Sequence, residues 1–210
     1  MFLLTQYFLE NPEHLDREGL FRVNGEKQSI NKLATHLQLG HFAILNDYKS
    51  SPNEVANFLK EILRELTDPV CTFAKYECFR DIPKSYTPEQ KLSEVVFLLR
   101  NLPELNRSTL IFLARFFMRL SQNESKNKMS MYNLAVIITP NLFRCAELSS
   151  KDLMNHGTLT DVFLMLMTHV DHIIEEIKKP ERNLVNDILL FDQPPPDSAP
   201  VKNRNRTNNR

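Results

Sequence analysis

Ser51-Pro52-Asn53-Glu54-Val55-Ala56-Asn57-Phe58-Leu59-Lys60-Glu61-Ile62-Leu63-Arg64-Glu65-Leu66 is the stretch whose reading decides the fold. It opens with a capping serine, a proline at the first helical position and a glutamate able to reach back. A helix is therefore predicted over residues 55–66. Upstream, Ile30, Leu33, Ala34 and Leu37 fall on one helical stripe, and Gly40 follows as a stop. Residues 1–9 are apolar until Glu10, Asn11 and Pro12 end them, which reads as a core helix. Downstream, Thr87-Pro88-Glu89-Gln90 repeats the same start signals before a helix at 92–99 that Pro103 closes. Asn106 or Ser108 is predicted to cap the next helix, whose Leu110, Leu113, Ala114, Phe117 and Leu120 share a face. Residues 122–128 read as a loop and 130–138 as a helix interrupted by Thr139-Pro140-Asn141. Residues 159–177 read as one last amphipathic helix that Pro180 ends. No sheet-like alternation of useful length is present, so the fold class is all-α.

The bulk properties agree with one helical domain and a tail. The chain has 210 residues, 42% of them hydrophobic, with 4 glycines and 12 prolines placed between apolar segments. Residues 1–180 are assigned to the domain. Residues 181–210 become polar and rich in proline, asparagine and arginine, a composition that cannot bury a core and is read as disordered. Lys202, Arg204, Arg206 and Arg210 make that end basic, and a solvated tail is the preferred reading over a nucleic-acid or lipid site. With 26 basic and 26 acidic residues, no global field draws the chain to nucleic acid. Cys71, Cys78 and Cys145 are too few and too scattered for a disulfide framework or a metal site, which points to a reducing cytoplasmic setting. The six histidines show no ligand spacing, and His169 and His172 read as helix surface. No apolar run is long enough to span a bilayer, and no basic leader with a cleavage site opens the chain. A soluble monomer without a metal or cofactor of its own is expected.

Glu18-Gly19-Leu20-Phe21-Arg22-Val23-Asn24-Gly25 sets an arginine between apolar neighbours and brackets it with glycines, which favours a loop. Arg22 then reads in two ways. It either satisfies nearby acceptors such as Glu18 and helps fold the loop, or it points outward, where its planar charged fork suits phosphate. Composition alone favours the first. Lys60 and Arg64 lie four apart on one helix face. They form either a solvated face, with Glu61 and Asp68 neutralising Arg64, or a cationic stripe for an acidic partner. Asn127 and Asn133 read as caps or turn formers, whereas Asn141, after a proline, is the asparagine whose amide is placed to face a partner.

Taken together, these blocks resemble the RhoGAP family, the activators of Rho-type GTPases. Glu18 to Gly25 is similar to its E-G-[IL]-F-R-x-x-G signature, and Leu59-Lys60-Glu61-Ile62-Leu63-Arg64-Glu65-Leu66 to its L-K-x-x-L-R-E-L helix. Leu102-Pro103 with Asn106 resembles its L-P-x-x-N link. Asn127-Lys128-Met129, Asn133-Leu134-Ala135 and Pro140-Asn141-Leu142 resemble its N-K-M…N-L-A…P-N-L run. The resemblance covers roughly residues 2–178.

It implies a helical bundle of the RhoGAP type that binds a GTP-loaded Rho, Rac or Cdc42-type GTPase. Arg22 is implied as the arginine finger inserted in trans, with Lys60, Arg64 and Asn141 on the GTPase-facing surface. The chain is then an activator rather than an enzyme: it has no GxxxxGK[ST] loop, and magnesium and nucleotide belong to the partner. The alternative is a RhoGAP-like module that holds a GTPase or another partner as a scaffold without accelerating hydrolysis. Three departures from the family pattern stand out. The chain starts almost inside its first helix, where relatives have residues packing beneath the active loop. Thr139 stands where many members have glycine, and Thr67-Asp68-Pro69-Val70 replaces the usual L-P-x-P-L.

Overall fold

Gly40 shows how directly local chemistry sets an element boundary. It adopts φ +79°, its amide donates to Leu37 O at 3.1 Å and the His41 amide to His36 O at 2.9 Å. This is the Schellman arrangement that satisfies the last carbonyls of a helix and that glycine adopts without steric cost. Thr87 likewise caps as its sequence predicts. Its Oγ1 accepts from the Gln90 amide at 3.3 Å, and Gln90 Oε1 accepts from the Thr87 amide at 2.9 Å.

The computed structural model describes residues 1–48, 52–147 and 149–179. Within them the α-helices are α1 (Phe2–Glu10), α2 (Lys27–Gln38), α3 (Pro52–Glu65), α4 (Phe73–Arg80), α5 (Pro88–Arg100), α6 (Glu104–Ser121), α7 (Glu124–Asn127), α8 (Met131–Leu142), α9 (Ser150–Thr168) and α10 (Val170–Lys178). Single 3-10 segments at Pro12–Asp16 and Phe42–Tyr48 join some of them, and no strand occurs among the described residues. Met1–Lys178 forms one compact unit. The predicted tail and Ser51, the predicted cap of α3, lie outside the described residues.

The predicted stripes supply much of the core. Leu110, Leu113, Ala114, Phe117 and Leu120 of α6 are buried, as are Leu159, Val162, Phe163 and Leu166 of α9 and Val170 and Ile173 of α10. α8 packs against α9, α3 and α6, α9 also meets α4 and α6, and α2 lies along α3. Phe117 links the centre, with ring centroids 5.0 Å from Phe21 and 6.2 Å from Phe163. Each fully buried leucine or phenylalanine contributes about 1.5–3 kcal/mol.

Several boundaries differ from expectation. The last amphipathic run is two helices, parted at His169, whose φ of −115° and ψ of 20° break α9 from α10. The apolar stripe continues across the break, which is why periodicity alone reads one helix. α6 starts at Glu104 with Pro103 at its cap, not at Asn106 or Ser108. Asn106 instead donates its side-chain amide to Val70 O at 3.1 Å, tying α6 to the segment before α4. α4 is itself additional, started by Thr72, whose Oγ1 accepts from the Lys75 amide at 3.3 Å. The polar stretch 122–128 contains the single turn α7. α8 runs through Pro140 to Leu142 rather than stopping before it. A proline near a helix end removes one backbone bond, here to Val136 O, and Asn141 adds a side-chain bond to the next carbonyl, Ile137 O, at 2.9 Å.

No described helix is long and apolar enough to cross a membrane.

Candidate functional site

The loop that carries Arg22 is built by two residues on either side of Leu20. Gly19 and Phe21 both sit at φ +69°, so the chain turns sharply twice. A Cβ on Gly19 would stand 2.6 Å from Val23 Cγ2, so space as well as dihedral angle requires glycine there. The carbonyl of Gly19 accepts from the amides of Arg22 and Val23, both at 2.8 Å, and its own amide donates to Asn127 O at 2.8 Å. Left-handed geometry at a phenylalanine costs about 1–2 kcal/mol. Burial offsets it, because the Phe21 ring is 0% exposed and meets Phe8 at 5.8 Å, Phe116 at 6.1 Å and Phe117 at 5.0 Å. The apolar neighbour on one side thus points into the core and forces Arg22 to the surface, where it is exposed.

α3 holds this loop by side chains spaced three residues apart. Lys60 Nζ donates to Phe21 O at 2.6 Å, Asn57 Nδ2 donates to Val23 O at 2.9 Å, and Glu54 Oε1 accepts from the Glu26 amide at 3.4 Å. Gly25 permits the approach. A Cβ there would lie 2.8 Å from Glu54 Cα and 3.0 Å from Glu54 N, so any other residue would push the loop off the helix. Glu54, read in the sequence as reaching back within its own helix, therefore reaches across to the loop.

The sequence-predicted residues have different surroundings. Arg22 and Arg64 are exposed, and neither makes a side-chain hydrogen bond or ion pair among the described residues. The neutralising partners expected for Arg64 are engaged elsewhere. Glu61 pairs with Lys27, and Asp68 Oδ1 accepts from the Phe73 amide at 2.8 Å. Glu18 likewise forms no bond to Arg22. Lys60 is half-buried and faces the loop. Burial, and then the charge of Arg64 beside it, lowers its pKa below the ordinary lysine value.

Asn141 is 6% exposed and turns its Nδ2 onto Ile137 O at 2.9 Å and Ile138 O at 3.4 Å. Asn127, read as a cap or turn former, closes a turn onto the Met129 amide and is a fully buried staple at the end of α7. Its Nδ2 donates to Leu15 O and Leu120 O, both at 2.9 Å, and its Oδ1 accepts from the Met129 amide at 2.8 Å. With its own carbonyl on Gly19, Asn127 ties the base of the Arg22 loop to α6 and to the start of α8. No group of three His, Cys, Asp or Glu suited to a metal occurs among the described residues.

An exposed, unpaired arginine on a loop clamped at its backbone is what a partner-completing side chain requires, and known proteins share the frame. The family model described as "RhoGAP domain" matches residues 4–147. The chain belongs to the RhoGAP domain family. It is 31% identical over 163 residues to human Rho GTPase-activating protein 17, covering 78% of this chain and 18% of that protein. It is 30% identical over 178 residues to human Rho GTPase-activating protein 18, covering 79% of this chain and 27% of that one. The RhoGAP chain thus spans only a minor part of the length of these relatives. Among solved structures, the BH domain from Graf, the GTPase regulator associated with focal adhesion kinase, superposes with a TM-score of 0.69 at 23% identity, covering 83% of this chain and 94% of that one. Human Rho GTPase activating protein 15 gives 0.68 at 22%, covering 81% and 82%. These two likenesses establish that the bundle is a RhoGAP fold.

Asn57 and Glu54 are the site residues that sequence reasoning missed. Their signal was available, since they precede Lys60 at intervals of three on one helix face. Nothing in the spacing says that the face meets the Arg22 loop.

Proposed function

We propose that this RhoGAP domain binds a GTP-loaded Rho-family GTPase and accelerates its GTP hydrolysis by lending Arg22 to the partner's nucleotide site. Hydrolysis spreads negative charge over the transferring phosphoryl oxygens and the leaving oxygen, so the help needed is a positioned cation. Arginine fingers contribute on the order of 10³ to 10⁵ in rate, about 4 to 7 kcal/mol of barrier. The observation that carries the reading is the contrast within one loop: Phe21 is buried to the core while Arg22, its neighbour, is exposed and has no acidic partner among the described residues. An arginine serving only the loop would spend its donors on loop acceptors.

In this reading Arg64 supplies the exposed charge that meets an acidic partner surface. Lys60 and Asn141 hold the surface in shape, one through Phe21 O and the other through the end of α8. Magnesium and nucleotide belong to the partner, and the domain takes no cofactor.

Turnover of GTP by a panel of Rho, Rac and Cdc42-type GTPases, measured with wild type and Arg22→Ala, tests the proposal. Acceleration by wild type that Arg22→Ala lacks is expected for at least one member. Equal acceleration by both proteins would sink the finger assignment. Binding of the GTP-loaded partner without acceleration would identify a scaffold instead.

A further inference from the structure

We propose that Asn57 is a positioning residue for Arg22, acting through the carbonyl of Val23. The proposal rests on the reading that Arg22 is lent to a GTPase, and adds a residue to which no role was attached by motif.

Asn57 has two amide protons and two carbonyls to receive them. One proton goes to Asn53 O at 2.8 Å, one turn back on its own helix, and the other to Val23 O at 2.9 Å on the loop. Two carbonyl acceptors leave no ambiguity about which end of the amide is nitrogen, since an oxygen facing both would be repelled. The first bond fixes the side chain so that the second is already aimed.

The peptide entering Arg22 is fixed by Lys60 on Phe21 O and by the Arg22 amide on Gly19 O. The peptide leaving Arg22 is fixed by the Val23 amide on Gly19 O. Beyond it the chain runs into exposed Val23 and Asn24, and Asn57 is the side chain that holds the carbonyl at that exit. Without it the exit side keeps only the Val23 amide on Gly19 O and, three residues further on, the long Glu26 contact to Glu54, so Arg22 can swing about the Phe21 anchor. A displacement of about 1 Å at a catalytic group costs up to about 10² in rate. The stability cost is small by contrast, because Val23 is 45% exposed and water can replace the lost donor at its carbonyl.

The test compares the full chain with Asn57→Ala, Asn57→Asp, Asn57→Gln and Arg22→Ala. Single-turnover hydrolysis is titrated with the GTPase that wild type activates best, alongside hydrogen exchange at the Arg22 and Val23 amides of the isolated chain. For Asn57→Ala, the maximal stimulated rate should fall about 10- to 100-fold while the Kd for the partner loaded with a non-hydrolysable GTP analogue stays within about twofold. Exchange at the two loop amides should rise about tenfold with the melting temperature unchanged. Asn57→Asp keeps the shape but faces two carbonyls with a carboxylate, so it should lose at least as much; Asn57→Gln, which keeps the donor, should recover part of the rate. An unchanged stimulated rate with unchanged loop exchange overturns the proposal. So does a parallel loss of rate, affinity and melting temperature, since that marks a purely structural side chain. If wild type accelerates no GTPase, the functional reading fails on its own, and the exchange rates still decide whether Asn57 holds the loop.

Discussion

Arg22 and Arg80 are the same side chain in opposite surroundings. Arg80, on α4, is 5% exposed. Its Nη1 donates to Asp152 at 2.6 Å, its Nε to Asp81 at 2.8 Å and its Nη2 to Glu77 at 3.1 Å, while its guanidinium lies 5.7 Å from the Tyr76 ring centroid. Asp152 is in turn held by Ser149, whose hydroxyl and amide donate to Oδ2 at 2.5 and 2.7 Å. Among the described residues Arg22 has no carboxylate, no ring and no carbonyl at its head; what is held is its backbone. An arginine that serves the fold is recognised by the acceptors around its head. One that serves another molecule is recognised by an idle head on an immobilised base.

The contrast can be broken from either side. The largest effect belongs to Arg22→Ala. It should lower partner-stimulated hydrolysis by about 10³ or more while leaving the melting temperature within a degree or two, as no side-chain hydrogen bond or ion pair among the described residues is lost. Single-turnover assays and a thermal melt read both halves. Asp152→Ala should do the reverse. Deleting one member of a buried ion pair costs about 3 kcal/mol, measurable by urea titration, with the stimulated rate per folded molecule unchanged. Gly19→Ala should mix the two. The left-handed φ and the 2.6 Å approach to Val23 Cγ2 predict about 1–2 kcal/mol of destabilisation together with a displaced Arg22 and a reduced stimulated rate.

Acid sharpens the comparison with the smallest step. The hydroxyl of Ser149, followed by the Arg80 guanidinium, holds the Asp152 carboxyl well below its ordinary value of 3.8. A carboxylate whose folded pKa is depressed stabilises fully above its unfolded pKa and loses that contribution as pH falls towards the folded one. The stability gap between wild type and Asp152→Asn should therefore be constant above about pH 5 and close progressively below about pH 4. Urea midpoints across that range check it, and a gap that widens on acidification contradicts the assignment.

How much of this was legible depends on whether the information was local. The Thr87 box, the Gly40 stop and the α6 stripe need only neighbours within a turn or two, and each appears as its residues predict. The break at His169 does not show because the apolar stripe is continuous through it, and Pro140 misleads because a helix end tolerates a proline that a helix interior does not. α4 escapes because its buried face mixes Tyr76 and Phe79 with Arg80, whose burial makes sense only once Asp152 arrives from a distant helix. In the site, the glycine bracket announced a loop, and Phe21 between them decided which neighbour faces out. That Lys60 faces inward was hidden, because a long side chain on a half-buried face can serve either side. Asn57 shares the helix face of Lys60 at an interval of three, but nothing in that spacing says that the face meets the loop.

Asn127 has a consequence for the making of the molecule. Its side chain closes on Leu15 across 112 positions, and its carbonyl receives the amide of Gly19, at the base of the Arg22 loop. During synthesis, Arg22 leaves the ribosome 105 residues ahead of Asn127, the difference of their numbers, and the base it stands on is incomplete until Asn127 has followed it out. Local helices form in microseconds, but a contact of that separation waits for the chain. The nascent protein therefore carries Arg22 long before it can hold it in place, and the loop is complete only as the bundle closes.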